Sequence, residues 1–309
     1  MTNSRFWSAY WVLLRPYLLF VSGVSGAAGL ALARDLPAAR FAAAFPAFFF
    51  AYGLGQALTD VFQTDTDAIS APYRPLVRGI VSPRQVLAVS LSGLAVCGAI
   101  LAALNPWNLA LSAAAIVGLL TYTPAKRHWW AGPFWNAWIV ALLPVMGALC
   151  GRQPAAPRLL VPLTASVFFS YAIFVLLGYF KDISADRATG YRTLPVTAGW
   201  RPSIAASAAL WVTAVAAGVA YFAALGRPSA IGLALWLAGA GAMALAHVQM
   251  WRTSGEKEAH HSIASTVRGY MLLHLGEIVG VCPAVWPAAL AVYAAFEWAL
   301  AARPERSQV

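Results

Sequence analysis

The sequence predicts an all-α polytopic membrane protein, and three observations carry that reading. Of 309 residues, 61% are hydrophobic and 10% charged, with a mean hydropathy of +0.68. A water-soluble domain carries about 25% charged residues. Apolar runs close to the roughly 20 residues that cross a bilayer recur along the chain. The charged residues gather in the segments between those runs. One domain of membrane helices over residues 1–309 is the economical organisation.

The runs are read in order. Met1 to Tyr10 is polar and aromatic, and Arg15-Pro16 opens a first span that continues to about Ala33. This apolar run is too long for a cleaved signal peptide. The second span covers about Phe41 to Leu58. Ser82-Pro83 leads into a third, Val86 to Leu104, and Asn105-Pro106 turns the chain into a fourth, Trp107 to Tyr122. His128-Trp129-Trp130 is an interfacial belt. The fifth span is about Phe134 to Cys150, the sixth Leu159 to Phe180, the seventh Pro202 to Leu225 and the eighth Ile231 to Trp251. The last stretch, Ile263 to Ala301, is about twice the length of one span, and Cys282-Pro283 interrupts it. It is one bent span with an interfacial flank, or two short ones. Cys97, Cys150 and Cys282 are isolated in apolar runs and read as core residues without a disulfide.

Orientation follows from lysine and arginine bias. With the amino terminus in the cytoplasm, the cytoplasmic segments hold fourteen Lys and Arg and the opposite loops five. The net charge of +10 is spread over these loops. That distribution argues against a nucleic-acid partner and for anionic membrane lipid and an anionic substrate. The expected location is a bacterial inner or plasma membrane.

Two loops concentrate the acidic residues. Thr59 to Gly79 contains Asp60, Asp65 and Asp67, three of only eleven carboxylates. If the second helix continues, Asp60, Gln63 and Asp67 share one face at i, i+3 and i+7, with Asp65 off that face and solvated. Asp182 and Asp186 follow the sixth span at i, i+4. Arg74, Arg78, Arg187 and Arg192 are interspersed, and both loops fall on the cytoplasmic side. Grouped hard oxygens suit Mg²⁺, and opposed clusters suit Mg²⁺ ions bridging a diphosphate. The 120-residue spacing suggests an internal repeat, with spans one to three equivalent to spans five to seven.

The chain resembles the UbiA-type intramembrane prenyltransferases. The first acidic motif of that family reads roughly Asn-Asp-x-x-Asp-x-x-x-Asp and is often followed by Pro-x-Arg-Pro. Here it reads Thr59-Asp60-x-x-Gln63-x-x-x-Asp67, then Pro72-Tyr73-Arg74-Pro75. The second reads Asp182-x-x-x-Asp186, with Gly190 and Arg192-Thr193 after it. Tyr122-Thr-Pro124-Ala-Lys126-Arg127 is similar to the family's basic turn. The resemblance implies a bundle of about nine helices around a central cavity; the sequence also permits ten. The departures are Thr59 and Gln63, where the family usually carries Asn and Asp.

The function implied is Mg²⁺-dependent ionisation of an allylic isoprenoid diphosphate, with transfer of the prenyl group to an acceptor. Asp60, Asp67, Asp182 and Asp186 are the expected catalytic and metal residues, with Gln63 as a further ligand. Tyr73, Arg74, Tyr122, Lys126, Arg127, Tyr179, Lys181 and Arg192 are expected at the substrate. Phe62 and Tyr171 are further sources of π electrons for a carbocation. Two alternatives use other chemistry. An intramembrane terpene cyclase ionises the same diphosphate without an acceptor. A transporter or lipid-binding protein would place its site near the midplane instead. Glu277, inside an apolar run, is either a general base or a protonated core residue bonded to a neighbouring helix, with His274, three residues before it, as a candidate partner.

Overall fold

The computed structural model describes residues 3–253, 255–305 and 308. Its helices are α1 (Asn3–Leu14), α2 (Pro16–Leu32), α3 (Ala38–Asp60), α4 (Thr64–Ser70), α5 (Pro83–Leu104), α6 (Trp107–His128) and α7 (Gly132–Leu149). They continue as α8 (Pro157–Gly178), α9 (Ile183–Ala188), α10 (Leu194–Ala198), α11 (Trp200–Leu225), α12 (Ala230–Arg252), α13 (Ala259–Val281) and α14 (Trp286–Ala301).

Among the described residues, eight helices are long and apolar enough to cross a membrane, and nine if α1 and α2 count as one bent span. That pair bends by 57° at Arg15, whose φ of 48° is left-handed. Pro16 then starts α2 at a position where its missing N–H costs nothing. Ser82 and Gln85 form a reciprocal capping box at the start of α5. The final stretch resolves as two helices, α13 and α14, divided at Cys282-Pro283. Arg268 of α13 pairs with Glu297 of α14 at 2.8 Å, so the two run antiparallel.

The α13 helix is not among the apolar set, although it is 23 residues long. It is instead enclosed by α2, α8 and α12. Its polar groups are answered from those neighbours: Glu277 accepts from Ser166 Oγ at 2.6 Å and meets His274 Nδ1 at 2.6 Å. Ser170 Oγ lies 3.0 Å from His274 Nε2. All four side chains are fully buried, and Glu277 lines none of the cavities described below. Of the two sequence readings, the bonded core residue is the one the packing favours. Where lipid surrounds the helices, close backbone approach does the packing. A Cβ added to Gly29 of α2 would overlap the carbonyl of Pro144 on α7, and one on Gly239 of α12 would strike the backbone of Leu273.

The proposed repeat has a matching arrangement. The α2–α3 pair and the α7–α8 pair meet along α2 and α7. At one end, Arg34 bridges to Gln153 between the two helix-connecting loops. At the other, α4 meets α9, and Thr66 Oγ1 lies 3.0 Å from Thr189 Oγ1. The acidic loops are therefore joined at one end of the bundle.

Candidate active site

The continuous helical face expected for Asp60, Gln63 and Asp67 does not form. The α3 helix stops at Asp60, and Gln63 is the residue that precedes α4. The break folds the chain back so that all three side chains still border one polar cavity of about 700 Å³. Asp182 likewise precedes α9, and its carbonyl accepts from the Asp186 N–H at 2.7 Å. The carboxyl ends of α3, α6 and α8 converge here, and their dipoles favour cations.

Those cations are present. Arg15 Nη2 reaches both oxygens of Asp60, at 3.1 and 3.2 Å, and Gln56 Nε2 donates to Asp60 at 2.7 Å. Arg74 pairs with Asp67 and lies 3.5 Å from Asp60. Lys126 Nζ sits 3.2 Å from Asp186 and 3.4 Å from Gln63 Oε1, with the rings of Tyr179 and Tyr191 at 4.8 and 4.9 Å. Thr193 Oγ1 donates to the other oxygen of Asp186 at 3.2 Å. Burial pushes Asp67 up to about 6, against the pull of Arg74. Burial also raises Asp186, against the pull of Lys126.

Several expected residues lie elsewhere. Asp186 is fully buried behind Lys126 and does not border the cavity. Arg127 turns to Asp65 at 2.5 Å and to Tyr191 Oη at 3.2 Å, so it ties α6 to α4 and does not border the polar cavity. Asp65 is thus ion-paired rather than only solvated. Arg192 is exposed; its backbone N–H holds the Arg127 carbonyl at 3.0 Å. Tyr73 lines an adjoining cavity, and Phe62 is 39% exposed. Tyr122 and Tyr179 border the polar cavity, their hydroxyls 2.9 Å apart, and Lys181 lines it too. The Asp65 and Arg127 side chains are 41% and 35% exposed, and a solvent-screened pair of this kind contributes about 0.2–1 kcal/mol. Asp65→Ala should therefore leave turnover within about threefold of wild type. A loss as large as that of Asp67→Ala would place Asp65 at the reacting centre.

Beneath the polar cavity, toward the bundle interior, lies an apolar one of about 550 Å³. Gly55, Leu94, Leu119, Ile139 and Leu143 line it, with Tyr171. The two share Tyr52, Gln56 and Asn136, so a polar head site opens onto an apolar slot. The sequence reading missed Arg15, Tyr52, Gln56 and Asn136. Gln56 carried a usable signal, since it lies one helical turn before Asp60 in an otherwise apolar run.

The donor set suits Mg²⁺. Asp60, Gln63, Asp67 and Asp182 present only hard oxygens to one cavity. Among the described residues no three His, Cys, Asp or Glu form a ready cage. Mg²⁺ takes one or two carboxylates and completes its shell with water and substrate phosphate.

Comparison with known proteins places this geometry. The model of the UbiA prenyltransferase family matches residues 19–267. Digeranylgeranylglyceryl phosphate synthase of Halobacterium salinarum is 36% identical over 176 residues, covering 57% of this chain and 63% of that protein. The chain thus spans somewhat under two thirds of that relative's length. The apo structure of a UbiA homolog from Aeropyrum pernix K1 superposes with a TM-score of 0.73 at 25% identity, covering 84% and 97% of the two chains. A UbiA homolog from Archaeoglobus fulgidus, bound to GPP and Mg²⁺, superposes with a TM-score of 0.67 at 18% identity, covering 89% and 99%.

Proposed function

This chain belongs to the UbiA prenyltransferase family, and from that premise we propose that it ionises an allylic isoprenoid diphosphate and transfers the prenyl group to an acceptor. The observation that carries the reading is the join between the cation- and carboxylate-lined cavity and the apolar slot. One end fits a diphosphate and the other a hydrocarbon chain. The GPP and Mg²⁺ held by the Archaeoglobus relative fit that division. Asp60, Asp67 and Asp182, with Gln63, would hold Mg²⁺, which when bound supplies Lewis acidity at the leaving diphosphate. The acidic loops would face the cytoplasm, where soluble diphosphates are made.

The protein's own groups act around that step. Arg15, Arg74 and Lys126 offer donors to phosphate oxygens once those oxygens compete with the carboxylates. Tyr52 borders both cavities and Tyr122 and Tyr179 the polar one, so their π electrons would be available where the allylic cation develops. The apolar slot keeps water from that cation. The C1–O bond breaks with its electron pair leaving on the diphosphate. A bond forms from the acceptor's nucleophilic atom to C1, and the nucleophile's proton passes to solvent.

Purified protein, supplied with Mg²⁺ and allylic diphosphates but no acceptor, should make no cyclic product. Addition of acceptor extracts should yield a prenylated compound, and excess EDTA should stop it. A cyclic hydrocarbon or alcohol formed from the diphosphate alone would assign a cyclase instead.

Gln63 supplies one neutral oxygen and an amide donor. Gln63→Asp should lower the Mg²⁺ concentration for half activity, because it adds charge to the donor set. If the amide holds the diphosphate, substrate affinity falls instead. Titration of both ligands separates these outcomes, and a variant unchanged in both places Gln63 outside the site.

A further inference from the structure

The two acidic loops are built alike. Gln63 precedes α4 with φ −121° and ψ 17°, and Asp182 precedes α9 with φ −120° and ψ 13°. Each carbonyl accepts from the N–H of the aspartate that follows, Asp67 at 2.9 Å and Asp186 at 2.7 Å. Each aspartate is met in turn by a side-chain donor seven residues further on, Arg74 for Asp67 and Thr193 for Asp186. The correspondence extends to the second residue of each short helix. Asp65 is tied to Arg127 of α6, and Ser184 to Glu256 in the 3₁₀ turn Glu256–Glu258 that leads into α13.

The two ties differ in what they occupy. Arg127 reaches the Asp65 carboxylate. Glu256 accepts from the Ser184 backbone N–H at 3.0 Å with one oxygen and from Ser184 Oγ at 2.7 Å with the other. That N–H is one of the first-turn donors that a helix leaves unsatisfied, and the residue two positions earlier ordinarily supplies its acceptor. Here that residue is Asp182, and Asp is among the strongest N-cap types, whereas Gln is not. The Asp182 side chain makes no such bond and borders the polar cavity instead. Its ψ of 13° is far from the extended backbone of a capping residue.

We propose that Glu256 is a positioning residue for the metal site: by capping α9 from a distant segment, it leaves the Asp182 carboxylate free for the cavity. The assignment rests on the prenyl-transfer reading above, in which Asp182 helps to hold Mg²⁺. Without Glu256 the Ser184 N–H loses its acceptor, and a change in the Asp182 ψ brings the nearest carboxylate to it. Helix and metal then compete for one side chain. The first loop carries no such conflict, because Gln63 has little tendency to cap α4. Glu256 itself lies outside the polar cavity, and its charge suits the amino end of α9.

The test uses the full chain in detergent with a thiolodiphosphate analogue of the allylic substrate, which does not react, and reads Mn²⁺ binding by electron paramagnetic resonance. Glu256→Ala should weaken Mn²⁺ binding about fivefold, the factor that one helix cap is worth. Turnover at saturating Mg²⁺ should fall by no more than about twofold, since only the metal requirement has changed. Glu256→Gln keeps an oxygen for the Ser184 N–H, and Ser184→Ala keeps the N–H itself, so both should bind Mn²⁺ within about twofold of wild type. In an Asp182→Ala background, loss of Glu256 should add nothing, because the carboxylate it positions is gone. An equal further loss there would make Glu256 a structural tie and overturn the assignment, as would unchanged Mn²⁺ binding by Glu256→Ala. Ser184→Ala as damaging as Glu256→Ala would overturn the capping argument. Wild-type protein that binds no Mn²⁺ with the analogue is a different result, which brings down the metal-dependent reading and this assignment with it.

Discussion

Asp60→Asn will lower turnover by on the order of 10²–10³, the loss typical of one charge-stabilising contact at a reacting centre. The side chain is 2% exposed and receives Arg15, Gln56 and Arg74 together. Asn keeps its volume and one oxygen but removes the charge. Two guanidiniums then lose an anion, and the donor set loses a ligand. The Mg²⁺ requirement should rise with the fall in turnover, which a titration at saturating diphosphate measures. Asp67→Asn should behave alike, because Asp67 also pairs with Arg74. Turnover within tenfold of wild type at saturating Mg²⁺ would make Asp60 an anchor for Arg15 and nothing more.

The second large effect belongs to Lys126. Its partner Asp186 is 0% exposed and is ion-paired with Lys126 at 3.2 Å. Lys126→Met removes that cation and leaves a buried carboxylate uncompensated, which typically costs about 3–5 kcal/mol, mostly the penalty of the stranded charge. The thermal transition in detergent should drop sharply, and turnover with it. The double variant Lys126→Met with Asp186→Asn removes both charges and should recover most of the stability. It should not recover turnover, since Lys126 also borders the cavity and faces Gln63. A double variant that regained full activity would make the pair a purely structural bridge.

Much of this arrangement was legible in the residues. The apolar runs became helices near their expected ends because hydrophobic length and Pro or Gly punctuation are local properties. The two acidic motifs came together because each follows the carboxyl end of a long helix, α3 or α8, at the same end of the bundle. What was not legible depends on the third dimension. The face shared by Asp60, Gln63 and Asp67 was argued from an unbroken helix, and the chain reaches a similar convergence by breaking it. Arg127 and Lys126 are adjacent in sequence, yet one faces Asp65 and the other Asp186. Arg15 read as a flanking charge because its partner is 45 positions away. Asn136 has no local signal in its apolar run, and only the meeting of α3, α6 and α7 puts it where the head site opens onto the slot.

The composition of α13 bears on how the protein is made. A helix carrying Arg268, His274 and Glu277 is a poor substrate for insertion on its own, since a charged residue near mid-bilayer costs about 2.5–3.5 kcal/mol at the translocon. Its answering groups, Ser166 and Ser170 on α8 and Tyr221 on α11, whose hydroxyl donates to the Glu277 carbonyl at 3.0 Å, precede it in the chain. During synthesis those groups enter the membrane first and await the newcomer. The α13 segment is then received by a half-built bundle rather than by lipid, and α14 follows to close behind it. Biogenesis is accordingly ordered from the amino terminus. Ser166→Ala and Ser170→Ala should show up as unintegrated or degraded protein in the cell before they show up as slow enzyme in the cuvette.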